Sequence, residues 1–384
     1  MNKRFKVESL IKFPIATNLK YWIIAPLVII VLAGIMFGVF AGIYKDGSKG
    51  MNIGIDFAGG TIVTVTLGDR ISTTAAYNEY EDIIKKAIES DTVAQQVTDY
   101  ATEQKISGVT NTISRAHVTY TQTSGSGEDY AIVFKIDNVS RSYDPSNVLS
   151  NYRNDVLKTE ISKALQAKMT DVDAGDIDAM ITNEYIGATA SIELIKTALI
   201  CLAVSLAVIL VYIIIRFEIW SGLAAVIALI HDVAILVAMT IICHIQVNSA
   251  FVAAIITIVS YSINNTIVIF DRVRENLRNE RKLNAKFDTA VVLDTSIKQT
   301  LLRSINSTVT TMVPIVIFAI FGSSTVNEFA LPVIFGLIAG FYSSMFISPS
   351  LYYVMSKAWE KHKANKSNKA KEQAAKPKYV GAKQ

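Results

Sequence analysis

The side chains most able to do chemistry in this sequence lie where charge and polarity are costly. Asp232 sits inside an otherwise apolar run from about Trp220 to Cys243, within Leu229-Ile230-His231-Asp232-Val233. A carboxylate at mid-bilayer depth costs roughly 3 kcal/mol even on lenient insertion scales, so it marks a functional position by default. The next run, Phe251 to Arg278, turns polar at Ser260, Tyr261, Ser262, Asn264 and Asn265. It recovers at Ile267–Phe270 and then ends in Asp271-Arg272-Val273-Arg274-Glu275. Thr257, Ser260, Tyr261 and Asn264 follow i, i+3, i+4, i+7 and share one helix face, which should look at protein rather than lipid. Two chemistries fit. The hydroxyls and amides hold helices together by hydrogen bonds, or they line a crevice in which Asp232 is alternately protonated and ionised. His231 projects about 100° away on a helix, so the two side chains need not touch. Arg272 and Arg274, at the end of the run, are candidate counter-cations for Asp232.

Other chemistries find no support. Cys201 and Cys243 both lie in apolar runs and read as small buried hydrophobes, with no disulfide framework or metal spacing. Gly59-Gly60 is followed by no phosphate-binding lysine or dinucleotide spacing, so it reads as a tight turn. Asp56 beside it could cap, pair or bind. His117 stands without a catalytic constellation. No nucleotide, metal, cofactor or nucleophile motif points to an enzyme.

The elements that must position these groups are membrane helices. The chain has 384 residues, 51% of them hydrophobic, and a mean hydropathy of +0.36, too apolar for a soluble protein of this size. Its net charge of +4 hides a segregation: residues 44–190 carry 13 Lys and Arg against 21 Asp and Glu. The first twenty residues, 216–220, 271–304 and the tail from 357 carry 23 basic against 9 acidic residues. Basic loops stay in the cytoplasm, which puts both termini there and 45–190 outside. The basic segments flank membrane helices, so nucleic acid is not an expected partner.

In chain order, residues 1–20 form a basic cytoplasmic N-terminus and 21–44 an uncleaved transmembrane helix, longer than a signal-peptide core. The outside domain, 45–190, should begin with a strand at Thr61–Leu67 and a helix near Thr74–Ser90. A polar connector around Ser107–Thr110 leads to a strand at Thr112–Thr121. The turn Ser124–Gly127 and a strand at Tyr130–Ile136 complete a hairpin. A helix near Ser146–Lys168 and a strand near Ile177–Ile186 follow. That order, βαββαβ, is the ferredoxin-like plan, an α+β fold. Residues 191–356 then supply five more helices, about 195–215, 220–243, 249–270, 304–322 and 329–355.

A cytoplasmic loop, 271–303, holds an amphipathic piece (Phe287, Val291, Val292, Ile297, Leu301) expected along the membrane surface. The fifth helix starts with Ser304, Asn306, Ser307, Thr308, Thr310 and Thr311 and should kink at Pro314. The sixth carries Gly336, Gly340, Ser344 and Ser348 every four positions, a ridge for close helix packing. The basic tail, 357–384, is expected to be disordered against anionic lipid. The whole reads as an α-helical polytopic membrane protein with six transmembrane helices and one extracytoplasmic domain between the first two.

Five segments carry a resemblance: GIDFAGGT (Gly54–Thr61), HDV (His231–Val233), YSINNTIVIFDRVRENLR (Tyr261–Arg278), QTLLRSINSTVTT (Gln299–Thr311) and GLIAGFYSSMFISPSL (Gly336–Leu351). In order and spacing they resemble the SecD/SecF family of the bacterial Sec preprotein translocase, half of a proton-driven transporter of the resistance-nodulation-division (RND) superfamily. The resemblance implies pairing with SecD, which brings six similar helices and a larger outside domain. It further implies association with the SecYEG channel, YajC and SecA as indirect partners, an unfolded preprotein as cargo, and use of the proton motive force in the cytoplasmic membrane. Its proton pathway would fall on Asp232, Ser262, Asn264, Asn265, Arg272 and Arg274, and its domain joint on Asp56, Gly59, Gly60 and Gly187.

Two departures stand out. The family pattern has Asp where this chain has Asn265, and Asn carries no proton. It has Val-Gly-Pro where this chain has Ile186-Gly187-Ala188, which softens the hinge. Rival readings are an RND-type exporter of lipids or small molecules, which would need self-pairing, and a non-coupling scaffold.

Overall fold

The computed structural model describes residues 14–43, 50–106, 118–124, 130–137, 148–216, 218–283, 287–322 and 324–375. The first span is α1 (Leu19–Ile43). The stretch before it is tied down: Asp294 Oδ1 accepts from the backbone N–H groups of Ile15 and Ala16 at 3.0 and 2.9 Å. A one-turn helix, α2 (Ile55–Ala58), then leads into β1 (Gly60–Thr66), whose β-branched residues favour a strand.

The domain continues through α3 (Thr74–Ile88), α4 (Asp91–Glu103), β2 (Val118–Ser124), β3 (Ala131–Asp137), α5 (Val148–Lys168), α6 (Ala174–Ala179) and β4 (Ile181–Ile186). The strands form one antiparallel sheet in the order β2-β3-β1-β4. Strand periodicity separates its faces. Val63, Val65, Ile132, Phe134 and Ile136 are buried in a core shared with Ile84, Val97, Leu157 and Leu165 of the helices.

Five further spans follow: α7 (Ala188–Arg216), α8 (Ile219–Ile242), α9 (Ser249–Lys282), α10 (Thr289–Phe321) and α11 (Ser324–Tyr342). The last passes through a π-helical turn, Ser343–Ile347, into α12 (Ser348–Ala375). Among the described residues, six helical runs are thus long and apolar enough to cross a membrane. Helix α8 packs against α1, α9, α11 and α12, and its small residues Ala224, Ala225 and Ala228 are buried. Helices α1 and α7 leave most side chains exposed, as lipid-facing spans do.

Several bounds depart from the sequence reading for one reason: apolar stripes persist where composition turns charged. In α9 the buried stripe Phe270, Val273, Leu277 runs past Asp271, so residues 271–282 are helical rather than loop. The amphipathic piece expected along the membrane surface is the first part of α10, continuous through Pro314. Val292, Leu293, Ile297 and Leu301 join the same buried cluster as the α9 stripe. Asn276 Nδ2 adds bonds to Ser296 Oγ and Gln299 Oε1, both 2.9 Å.

Residues 357–375, expected to be disordered, extend α12. In the domain, α4 occupies what read as connector. Ser90 Oγ caps it by accepting from Val93 N–H, and Val93, Val97 and Ala101 are buried. Residues 177–180 precede the last strand rather than belonging to it. Residues 107–117 lie outside the described residues and include His117, as do Gly125–Gly127 of the expected hairpin turn and residues 1–13 and 376–384.

Candidate functional site

Asp232 lies on α8 with no exposed surface. Two hydroxyls donate to its Oδ2: Ser262 Oγ on α9, and Ser343 Oγ of the π turn at 2.9 Å. His231 Nδ1 meets its Oδ1 at 2.9 Å, so the two neighbours do touch. A separation of about 100° parts their Cβ atoms, but the ring nitrogen, three bonds from Cα, still reaches the carboxylate. The other ring nitrogen, His231 Nε2, is buried without a hydrogen-bond partner among the described residues.

The side chains bonding Asp232 come from the third, fourth and sixth spans. Ser343 follows Gly336 and Gly340 by seven and three residues, on the helix face that seats against α9, and so reaches the carboxylate beside Ser262. Helix α10 joins one turn away, where Tyr261 Oη donates to Thr308 Oγ1 at 2.7 Å.

The small-residue ridge makes this geometry possible. A Cβ on Gly336 would lie 2.4 Å from Ile258 Cγ1, and one on Gly340 3.0 Å from Ser262 Cβ. Helix α11 therefore seats directly on the turn of α9 that bonds Asp232. Ser344 Oγ lies 2.9 Å from Thr266 Oγ1. Asn265 is buried and its Nδ2 has no partner among the described residues.

Other expected site residues are elsewhere. Thr257, Ser260 and Asn264 are exposed; Thr257 and Ser260 hydroxyls return to carbonyls of their own helix at 2.8 and 3.0 Å. Their face is uncovered in this chain, as are Asn306 and Thr310 on α10. Arg272 bonds Gln299 and Glu275, each at 2.6 Å. Arg272 and Arg274 follow Ser262 by ten and twelve residues, about 15–18 Å along the helix at 1.5 Å per residue, so neither reaches Asp232.

The joint with the domain is fastened to the α8–α9 connection. Asp56 Oδ2 accepts from Ser249 N–H and Oγ at 3.0 and 2.7 Å, so it caps α9. Gly54 N–H donates to Val247 O at 2.8 Å, and Val247 N–H to Asn52 O at 2.7 Å. Gly59 has φ 75°, and a Cβ on Gly60 would lie 2.3 Å from Ile136 O, so both turn residues need glycine. The Gly187 carbonyl accepts from Ser191 N–H at 3.1 Å as α7 begins.

One cluster escaped the sequence reading. Lys135 Nζ, on the sheet face away from the helices, bonds Glu328 Oε1 at 2.9 Å and Gln246 Oε1 at 2.8 Å. Asn248 Nδ2 donates to Glu328 Oε2, and all four side chains are buried. Nothing in spacing links a domain lysine to two helix ends more than 100 residues away.

A family profile described as "Protein export membrane protein SecD/SecF, C-terminal" matches residues 164–358, and one described as "SecD/SecF GG Motif" matches 47–68. The chain belongs to the SecD/SecF family. The second match spans Gly59 and Gly60 of the joint, and the first spans the Asp232 site and the ridge that seats it. Relatives named protein translocase subunit SecF are similar over most of their length. That of Helicobacter pylori (strain ATCC 700392 / 26695) is 29% identical over 330 residues, 86% of each chain. That of Rickettsia akari is 31% identical over 319 residues, covering 83% of this chain and 85% of the relative. The crystal structure of SecDF, a translocon-associated membrane protein from Thermus thermophilus, aligns with a TM-score of 0.57 at 26% identity. The alignment covers 91% of this chain and 39% of that one, so the chain spans about two fifths of the SecDF chain.

Proposed function

We propose that this chain is an auxiliary subunit of the Sec preprotein translocase that works with SecD and uses the proton motive force to complete export across the cytoplasmic membrane. The observation that carries the reading is Asp232: a fully buried carboxylate in a membrane bundle, met by two hydroxyls and an imidazole. Hydroxyls can rotate to donate or accept, and imidazole can exchange its proton. The three neighbours therefore suit both protonation states of the carboxylate. They also sit on α8, α9 and the π turn, so a proton on Asp232 would act on the packing of three spans at once. With Asn at 265, proton work in this subunit falls to Asp232, aided by His231, or to the partner. Ser262 positions the carboxylate, while Asn264, Arg272 and Arg274 serve the partner-facing and cytoplasmic surfaces.

Both termini are placed in the cytoplasm, on the charge asymmetry, and residues 45–190 outside as a ferredoxin-like domain. The antiparallel order β2-β3-β1-β4 supports that plan. The domain would grip or release the emerging unfolded chain, with Gly59, Gly60 and Gly187 as its joint. SecYEG, with YajC and SecA as indirect partners, would supply the channel context, and SecD would cover the exposed polar face of α9.

The test is preprotein translocation in energised membrane vesicles that hold wild-type SecD. Asp232→Asn should assemble normally and lose the stimulation given by a proton gradient. Full proton-dependent translocation by that variant would remove Asp232 as the carrier. An equal rate before and after collapse of the gradient in the wild type would favour the scaffold reading.

A further inference from the structure

Where the apolar run of α9 stops at Phe270, the bundle forms an open cavity of about 350 Å³. It lies at the end opposite the sheet domain, which joins α9 at its other terminus. Arg274, Arg278 and Arg281 line it from successive turns of α9, and Tyr352 of α12 lines it as well. One carboxylate among the lining residues, Glu218, offsets part of that charge. The N-terminal turn of α8 begins here: Glu218 is its N-cap residue without a side-chain cap bond, and Ser221 lines the cavity. A helix N-terminus adds positive potential and N–H donors to the three guanidinium groups. The lining is also apolar, through Phe270, Val273 and Leu277.

We propose that this cavity binds the phosphodiester headgroup of an anionic phospholipid. Planar guanidinium groups take phosphate oxygens in pairs, and the Tyr352 hydroxyl can donate to a third. Free phosphate shares that chemistry but has no use for an apolar wall. The depth favours lipid too, because α8 starts and the apolar run of α9 ends at this level, where headgroups sit. Basic pockets between transmembrane helices are headgroup sites on physical grounds. The bound lipid would join α8, α9 and α12, the helices that carry or flank Asp232, Ser262 and Ser343. The proposal is independent of proton coupling, and Asp232→Asn should bind lipid like the wild type.

The experiment uses the full chain, purified and delipidated in neutral detergent. It is titrated with phosphatidylglycerol, phosphatidylcholine or inorganic phosphate, reading the thermal unfolding midpoint and the lipid retained in native mass spectra. Phosphatidylglycerol should raise the midpoint and stay bound, and phosphatidylcholine should do neither. Arg274→Gln/Arg278→Gln/Arg281→Gln should weaken phosphatidylglycerol binding about tenfold or more, with a smaller loss at high salt. Lys282→Gln, on the same helix but outside the cavity, should leave it unchanged. Should the triple variant not fold, Arg278→Lys keeps the charge and loses the paired geometry, and should weaken binding several-fold. Wild-type affinity in the Arg variants, or equal retention of phosphatidylcholine, would overturn the site. An equal effect of millimolar phosphate alone would overturn the lipid as its source.

Discussion

Asp232 is held by hydroxyls and an imidazole, with no lysine or arginine touching it among the described residues. Losing one hydrogen bond to a buried group costs about 0.5–3 kcal/mol, in the upper part of that range when the group is charged. Ser343→Ala should therefore lower stability by about that amount, and depress proton-stimulated translocation because the carboxylate then leans on Ser262 alone at Oδ2. Ser348 provides the comparison, since it is equally buried but its Oγ has no hydrogen-bond partner among the described residues. Ser348→Ala should shift the thermal unfolding midpoint in detergent little or upward. Equal losses in both variants would mean that the Ser343 contact does not matter. Asp232 and Ser262 are legible in the sequence because polarity inside an apolar run is visible without a structure. Ser343 is not, because spacing along the sixth span does not say that its face meets the third span at the depth of Asp232. Asn264 shows the limit of such patterns: periodicity tells which residues share a face, not which neighbour covers it.

Two devices act between elements. One is the glycine seat. Gly336→Val would drive a branched side chain into Ile258, where even a Cβ would sit 2.4 Å away. Overpacking of this kind costs about 1–3 kcal/mol. It should also part α11 from α9 and weaken the Ser343 contact, which thermal unfolding and the translocation assay would both register. The ridge was legible as a packing motif, but its target was not, so its link with Asp232 emerges only from the fold. The other device is the buried Lys135–Glu328 pair with Gln246 and Asn248. Removing one partner leaves an unpaired buried charge, and Glu328→Ala should cost about 3–5 kcal/mol. Replacing both, as Lys135→Met/Glu328→Leu, should recover most of that loss, since apolar substitutes of similar size are often neutral. A double-mutant cycle on unfolding midpoints measures the coupling. No recovery in the double variant would show that the amide partners, rather than the ion pair, hold the domain to the bundle. Strands β1 and β3 and helices α3 and α5 of the domain were readable from local patterns. This latch was not, because it depends on the sheet's second face meeting the ends of two distant helices.

At the scale of the whole molecule, six spans follow from composition alone, and the family follows from five short segments. What the sequence does not reveal is how much of the polar membrane surface remains uncovered. Thr257, Ser260 and Asn264 on α9, with Asn306 and Thr310 on α10, are exposed along spans that a bilayer would surround. Leaving such a face to lipid is unfavourable, and pairing it with polar groups of another helix relieves the cost. Lipid-facing helices present the contrast: α7 exposes Leu199, Ile200, Val204 and Val208, an apolar surface that needs no partner. A SecD half seated on α9 and α10 would bury the polar face and leave α7 outside. Both native cysteines are exposed, Cys201 on α7 and Cys243 beyond the end of α8, so Cys201→Ser/Cys243→Ser gives a background without thiols. In that background Ser260→Cys should crosslink to cysteines placed in the SecD helices when both chains are co-expressed, and a variant retaining only Cys201 should not. The reverse pattern would put the partner against α7 and leave the polar face of α9 as a water-lined path rather than an interface.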